Sequence, residues 1–574
     1  MTERHVIERD VEMVTRDGFV LRADVHRPDD DDRHPVLLLR TPYGKKFGDM
    51  AAAGLLGIRA AIAAGYAVVI QDVRSSGRSD GHTFFPYRDE GLDGADAVTW
   101  AATLRCCDGT VGALGISYLG GAAWQLAAEG PAELRALSAA QAPIDFHRVW
   151  WRGGALRLAD VIGWMLYNEL LQAQTGRGDQ ASIAALVEAM DDLAQTVQHT
   201  PIVTLPAARP EDPSFAPAFA DVLRHPVPDD WSASTYLPRG HRGVRAPALI
   251  VAGWHDGYIR ADLEHFTHMR AEAATDEARE HTRIVVGPWT HGALRGLAGE
   301  PALCRGEEAA ATGLDDIVSI IQLQWFDRWL RGVEADAIDT APVWLFVQGA
   351  NRWRQEDQWP PPGAEPRPWY LGPAGTLSPE PPVSSTPDTF VYDPEDPCPT
   401  RGGACVLAVP AQPAGPVDQT TTLGRPDVLT YTSAPLAGDL EVIGQVTAVL
   451  HAATSACDTD WVVKLCDVHP DGVTLSVTDG ILRARYRRGE EAPELVEPGV
   501  VHCYEIELDP TAMLFRAGHR LRVIVTSSDF PRYDRNPNTG ELSVIATDFV
   551  PARQSIFHDP TRPSHVLLPT LPSG

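Results

Sequence analysis

The chain divides by the rhythm of its apolar positions. Residues 11–26 alternate around Asp17-Gly18 (Val11, Met13, then Phe19, Leu21, Ala23, Val25), which predicts a hairpin. Pro35-Val-Leu-Leu-Leu39 and Tyr66-Ala-Val-Val-Ile70 are continuous apolar runs, expected of strands covered on both faces. Residues 50–64 and 88–104 read as helices, the second with Leu92, Ala95, Val98 and Leu104 as its apolar positions. A further strand and helix meet at Gly112-Ala-Leu-Gly-Ile-Ser-Tyr-Leu-Gly-Gly121, and Leu134 to Ala142 is the next strand. Strands alternating with helices imply a mainly parallel sheet with helices on both faces. Ligands of such sheets bind beyond the carboxyl ends of the strands, where Tyr43, Arg74 and Ser117 all fall.

From about 145 to 240 the strand rhythm stops. Helical sequence carries Trp150, Trp151, Trp164, Leu166 and Tyr167, a second helix runs over 181–197, and Pro-rich loops follow. This reads as a helical insertion capping the site. The rhythm resumes with strands at 247–252 and 282–286, a helix over 259–275, another over 312–331, and a strand at 343–347. After about 352 proline becomes dense, and the remainder is short strands and turns: 442–450, 461–468, 500–508, 521–526. That pattern predicts a β-sandwich or jelly roll. The expected division is 1–144 and 241–351 for the α/β domain, 145–240 for the cap, and 352–574 for the β domain.

Strand, sharp turn and helix around Ser117 form the context in which a serine becomes a nucleophile. Leu119 stands where the usual G-x-S-x-G has its last glycine, and the glycine comes at 120. The hydroxyl needs a base, and the base a carboxylate that fixes its tautomer. His291 follows the 282–286 strand in a tight loop, and Asp256 follows the 247–252 strand. The order Ser117, Asp256, His291 is that of α/β-hydrolases. His255 competes as base, but it points opposite to Asp256 on extended backbone. For an oxyanion, the N–H of Tyr118 is one donor by position, and Tyr43 stands where the second is expected.

Composition narrows the function. A formal net charge of −28 argues against nucleic acid as partner. The charged N-terminus shows no signal peptide and no stretch approaches a membrane span, so a cytoplasmic protein is expected. The 8 cysteines include no Cys-x-x-Cys, so neither a metal site nor a redox motif is expected.

Gly115-x-Ser-Tyr-x-Gly120, Gly253-Trp-x-Asp-Gly257 and Gly287-Pro-Trp-x-His-Gly292 together resemble the bacterial cocaine esterase family, related to Xaa-Pro dipeptidyl-peptidases and α-amino-acid ester hydrolases. Arg40-Thr-Pro-Tyr-Gly44, Asn351-Arg-Trp-Arg354, Asp458-Thr-Asp-Trp461 with Lys464, and the segment Ser527 to Asn536 extend the similarity along the chain. The resemblance implies an α/β-hydrolase domain with an inserted helical cap, then a jelly roll. It implies a serine acyl-hydrolase acting on a small ester or amide without metal or organic cofactor, and a homodimer. Ser117, Asp256 and His291 match the family triad; the Tyr43 hydroxyl and Tyr118 N–H match its oxyanion donors. Its aromatic acyl pocket maps to Trp150 or Trp151, Trp164 and Tyr258, and the segment Cys405-Val-Leu407 of the β domain, with Leu407 as the expected residue, is a further candidate lining. The amino-acid ester hydrolases hold an α-ammonium with carboxylates. None directly follows Asp256 here, which leaves Asp160 or Glu169 of the cap. The alternatives are therefore a peptidase or amide acylase of the same family and, remotely, a catalytically dead binding protein.

Overall fold

The computed structural model describes residues 5–47, 55–143, 145–172, 180–212, 214–234, 237, 240–296, 316–334, 340–407 and 414–571. Ten strands form the first sheet: β1 (His5–Val14), β2 (Val20–Pro28), β3 (His34–Thr41), β4 (Ala67–Asp72), β5 (Cys107–Ile116), β6 (Leu134–Ala140), β7 (Ala248–His255), β8 (Arg283–Thr290), β9 (Val343–Val347) and β10 (Arg352–Glu356). Their spatial order is β1-β2-β4-β3-β5-β6-β7-β8-β9-β10. All pairings from β4 through β9 are parallel; β1–β2, β2–β4 and β9–β10 are antiparallel. β3, β4 and β7 are buried along almost their whole length, as their unbroken Val/Leu/Ile/Ala runs require. The helices Glu90–Ala102, Tyr118–Ala128, Ile259–Glu272 and Ile317–Arg331 pack on the sheet through apolar faces.

The helix expected over 50–64 is observed at Ile58–Ala63; residues 55–57 are not helical, and 50–54 lie outside the described residues, as does the start of the one expected at 312. The change of architecture expected at 352 comes one strand later, because β10 pairs antiparallel with β9 and extends the first sheet. The strand expected over 442–450 is two, Leu440–Gly444 and Thr447–Thr454, since Gly444 takes φ +140°. The region after β10 is a 14-stranded antiparallel-dominated sheet system with its own core around Trp461, Tyr504 and Tyr431.

Between β6 and β7 lie the helices Phe146–Trp150, Leu158–Gln172, Gln180–Asp191 and Pro217–Arg224. This cap is tied to the β-rich region. Leu156 N donates to Asp534 Oδ1 at 2.8 Å, Ala159 N to the Pro531 carbonyl at 3.1 Å, and Arg152 Nη1 to Asp509 Oδ2 at 2.8 Å. The two sequence segments around Asp458 and Ser527 supply the anchorage behind those contacts. Arg483 bridges Asp460 and Asp534, Asn536 donates to Asp458 and Asp460, and Lys464 pairs with Asp529. Buried ions need such complete pairing, because removal from water costs several kcal/mol per charge.

Candidate active site

β5 ends in Ile116, and Ser117 turns the chain into the Tyr118–Ala128 helix with φ +56° and ψ −125°. For a non-glycine residue this conformation costs about 1–3 kcal/mol, and the surroundings must enforce it. Two glycines make room. A Cβ on Gly115 would fall 2.3 Å from the Leu119 carbonyl, and one on Gly120 would fall 3.0 Å from the Ala140 carbonyl oxygen. The close helix–sheet approach thus falls at 120, which accounts for the shifted glycine. Tyr118 is the first helical residue, so its N–H has no helical partner one turn back.

β7 carries Asp256 just past its end, and β8 carries His291. His291 Nδ1 lies 2.6 Å from Asp256 Oδ2, and Nε2 lies 2.9 Å from Ser117 Oγ. With Asp256 accepting, Nδ1 holds the proton and Nε2 is left to accept from the serine. Asp256 is fully buried, and its Oδ1 accepts from Tyr258 N at 2.6 Å, which fixes the carboxylate plane. Tyr258 meets His291 edge-on with ring centres 5.4 Å apart. His255 is excluded from this chain: it is buried, its Nε2 contacts Gln348 Oε1 at 2.6 Å, and burial lowers its imidazole to about 4.

Ser117 opens into a cavity of about 20 Å³ lined by Tyr43, Tyr87, Tyr118, Val149, Trp150, Asp160, Trp164, Tyr258 and Val406, among others. Trp164 Nε1 donates to the Tyr43 hydroxyl at 3.1 Å, so the Tyr43 proton is turned away from Trp164. Burial raises the Tyr43 phenol, which keeps it protonated and able to donate. Tyr118 is anchored below: its hydroxyl donates to Glu90, and its ring stacks on Tyr87 at 4.3 Å. Burial raises the Glu90 carboxyl to about 7.

The structure separates residues that the sequence grouped. Trp150 ends a helix and lines the cavity, whereas Trp151 begins a two-residue strand and sends its Nε1 to the Val222 carbonyl, 3.2 Å away. Leu407 does not line the cavity; Val406 does, and Leu407 packs over Gly163. Asp256 pairs with Cys405 in an isolated bridge, so the parity of this extended segment sends Val406 inward. Arg74 does not converge on Ser117 but is held by Asp93 and Asp17. Asp160 does face the cavity. Its Oδ1 accepts from Leu407 N at 2.8 Å, and Arg157 Nε lies 3.1 Å from its Oδ2, an ion pair by distance without hydrogen-bond alignment. Glu169 is not among the lining residues, and burial raises it to about 7. A larger cavity of about 550 Å³, between cap and β-rich region, shares Val149 and Tyr258 with the small one.

Residues 17–293 match the family described as X-Pro dipeptidyl-peptidase (S15 family), and 336–567 match the X-Pro dipeptidyl-peptidase C-terminal non-catalytic domain. Cocaine esterase of Rhodococcus sp. (strain MB1 Bresler) is 37% identical over 97% of both chains. The chain belongs to the cocaine esterase family. Among solved structures, an α-amino acid ester hydrolase superposes with TM-score 0.78 at 25% identity, covering 99% of this chain and 97% of that one. An aminopeptidase from a Thaumarchaeota archaeon superposes with TM-score 0.81 at 24% identity over 99% and 97% of the two chains, which shows shared fold. The α/β-hydrolase core followed by a mostly β region is thus the family architecture. Among the described residues no helix is long and apolar enough to cross a membrane.

Proposed function

We propose that this protein is a serine hydrolase of small carboxylic esters, with Ser117 as nucleophile, His291 as base and Asp256 as its orienting carboxylate. The continuous hydrogen-bonded chain from buried Asp256 through His291 to Ser117, opening into an aromatic cavity, carries this reading. His291 takes the Ser117 proton as Oγ attacks the acyl carbon. The Tyr43 hydroxyl and the Tyr118 N–H receive the developing oxyanion. His291 returns the proton to the leaving alcohol, and an acyl-enzyme remains. Water activated by His291 then releases the acid.

The acyl group is assigned to the small cavity. Its aromatic walls favour an apolar or aromatic acyl chain. The 550 Å³ cavity beyond Val149 and Tyr258 is assigned as the approach for the alcohol portion. A second reading, an aminoacyl ester or peptide substrate, draws support from the Asp160 carboxylate in the cavity wall. The Arg157 guanidinium beside that carboxylate opposes it, since its charge would repel an α-ammonium. Comparing kcat/KM for aryl acetates and benzoates with aminoacyl anilides decides between them. Faster anilide turnover would favour the second reading.

The seven described cysteines are all unpaired, which suits a reducing cytosol. Homodimerisation follows from the family resemblance and is read by light scattering; a monomer at micromolar concentration would remove it.

A further inference from the structure

We propose that Gln141 is a positioning residue for the base, a role that rests on the assignment of His291 above. Its side chain brackets His291 on both sides. Gln141 Nε2 donates to the Thr290 carbonyl at 2.9 Å, and Gln141 Oε1 accepts from Gly292 N at 2.7 Å. One primary amide thus satisfies the backbone immediately before and immediately after the histidine.

The amide is itself rigidly mounted. Gln141 is fully buried, follows the last residue of β6, and takes φ +45° as the chain leaves the sheet. Its own N–H donates to the Val251 carbonyl at 2.8 Å, fastening it to β7. Space for the side chain is left by Gly253, where a Cβ would fall 2.9 Å from Gln141 Nε2 and 2.4 Å from the Trp289 carbonyl oxygen. The glycine of the acid segment therefore serves the base loop. β8 has an irregular register between Gly287 and Thr290, where pairing with β7 resumes opposite His255, and the Thr290 carbonyl also accepts from Ala293 N at 3.2 Å. Gln141 adds the tie that spans His291 itself, and the planar amide sets the height of His291 relative to Ser117 Oγ.

Gln141→Met keeps the length and removes both hydrogen bonds; Gln141→Glu, buried against the Thr290 carbonyl as a protonated carboxyl, keeps a donor toward Thr290 O and an acceptor toward Gly292 N. The full chain is assayed with an aryl acetate and labelled with a fluorophosphonate. For Gln141→Met we expect kcat to fall about 10- to 100-fold with KM changed less than twofold, and labelling to slow by the same factor. For Gln141→Glu we expect most of the wild-type kcat and labelling rate to return, because the protonated carboxyl restores both contacts. A merely structural residue would lower the melting temperature without a selective loss of kcat. Wild-type kcat and labelling rate in Gln141→Met, or a Gln141→Glu variant that folds yet is as slow as Gln141→Met, would overturn the proposal. Labelling of wild type that persists in Ser117→Ala would instead refute the nucleophile assignment, so the two failures are distinguishable.

Discussion

The oxyanion assignment turns on a single hydrogen, that of the Tyr43 hydroxyl. Trp164 Nε1 donates to the Tyr43 oxygen at 3.1 Å, so Trp164 acts on the reaction through Tyr43 rather than beside it. Tyr43→Phe removes the donor and keeps the ring against Tyr118, whose centre is 6.1 Å away. Losing one oxyanion donor costs about 10² to 10³ in kcat, or about 2.7–4 kcal/mol. Trp164→Phe removes only the orienting bond, with a net value of about 1 kcal/mol, or roughly fivefold in rate. If Trp164 works through the Tyr43 hydroxyl, it has nothing to orient once that hydroxyl is gone. The double variant should then match Tyr43→Phe within about twofold in kcat, whereas independent effects would place it about fivefold lower. Both residues line the cavity, so KM reports changes in fit and kcat is the discriminating quantity. Stopped-flow measurement of acylation with an aryl ester gives the step directly. A Tyr43→Phe loss below tenfold, or one expressed wholly in KM, would refute the donor role.

Other expectations follow from neighbouring contacts. Asp256→Asn keeps the side-chain shape but inverts the donor it presents to His291 Nδ1, so kcat should fall about 10⁴-fold while Ser117 stays in place; a loss under 10²-fold in steady-state assays would contradict this. Glu90 sits at about 7 when folded against an ordinary 4.5, so between those values the unfolded chain holds fewer protons than the folded one. Stability must fall as pH rises through that window, by up to about 3 kcal/mol, and Glu90→Gln should flatten the melting-temperature profile from pH 5 to 8; parallel profiles would show that Glu90 carries no such linkage. Val406→Phe should depress kcat/KM for benzoyl esters more than for acetyl esters, whereas Leu407→Ala should leave that ratio within about twofold; the reverse ranking would restore Leu407 to the pocket.

Much of this was legible because the deciding signals are local. Short unbroken apolar runs such as Val36 to Leu39 fit strands buried on both faces, and their alternation with helices points to a parallel sheet. The carboxyl ends of β5, β7 and β8 then bring Ser117, Asp256 and His291 together however far apart they lie in the chain. What escaped depends on parity and on side chains crossing between elements. Trp150 and Trp151 are adjacent, and the helix that ends between them sends one into the cavity and the other toward Val222. Val406 and Leu407 differ by one position on extended chain, and only the Asp256–Cys405 bridge fixes which faces inward. Gln141 had one faint signal, a lone amide closing the apolar strand Leu134 to Ala142. Nothing in that spacing shows that its amide reaches a loop 151 residues later, where it accepts from Gly292 N.

The central claim is an activated Ser117, and intact-mass analysis after exposure to a fluorophosphonate tests it most directly. One adduct per chain on the wild type and none on Ser117→Ala is the predicted result. A folded wild type that takes no adduct, or an adduct that survives in Ser117→Ala, would contradict it.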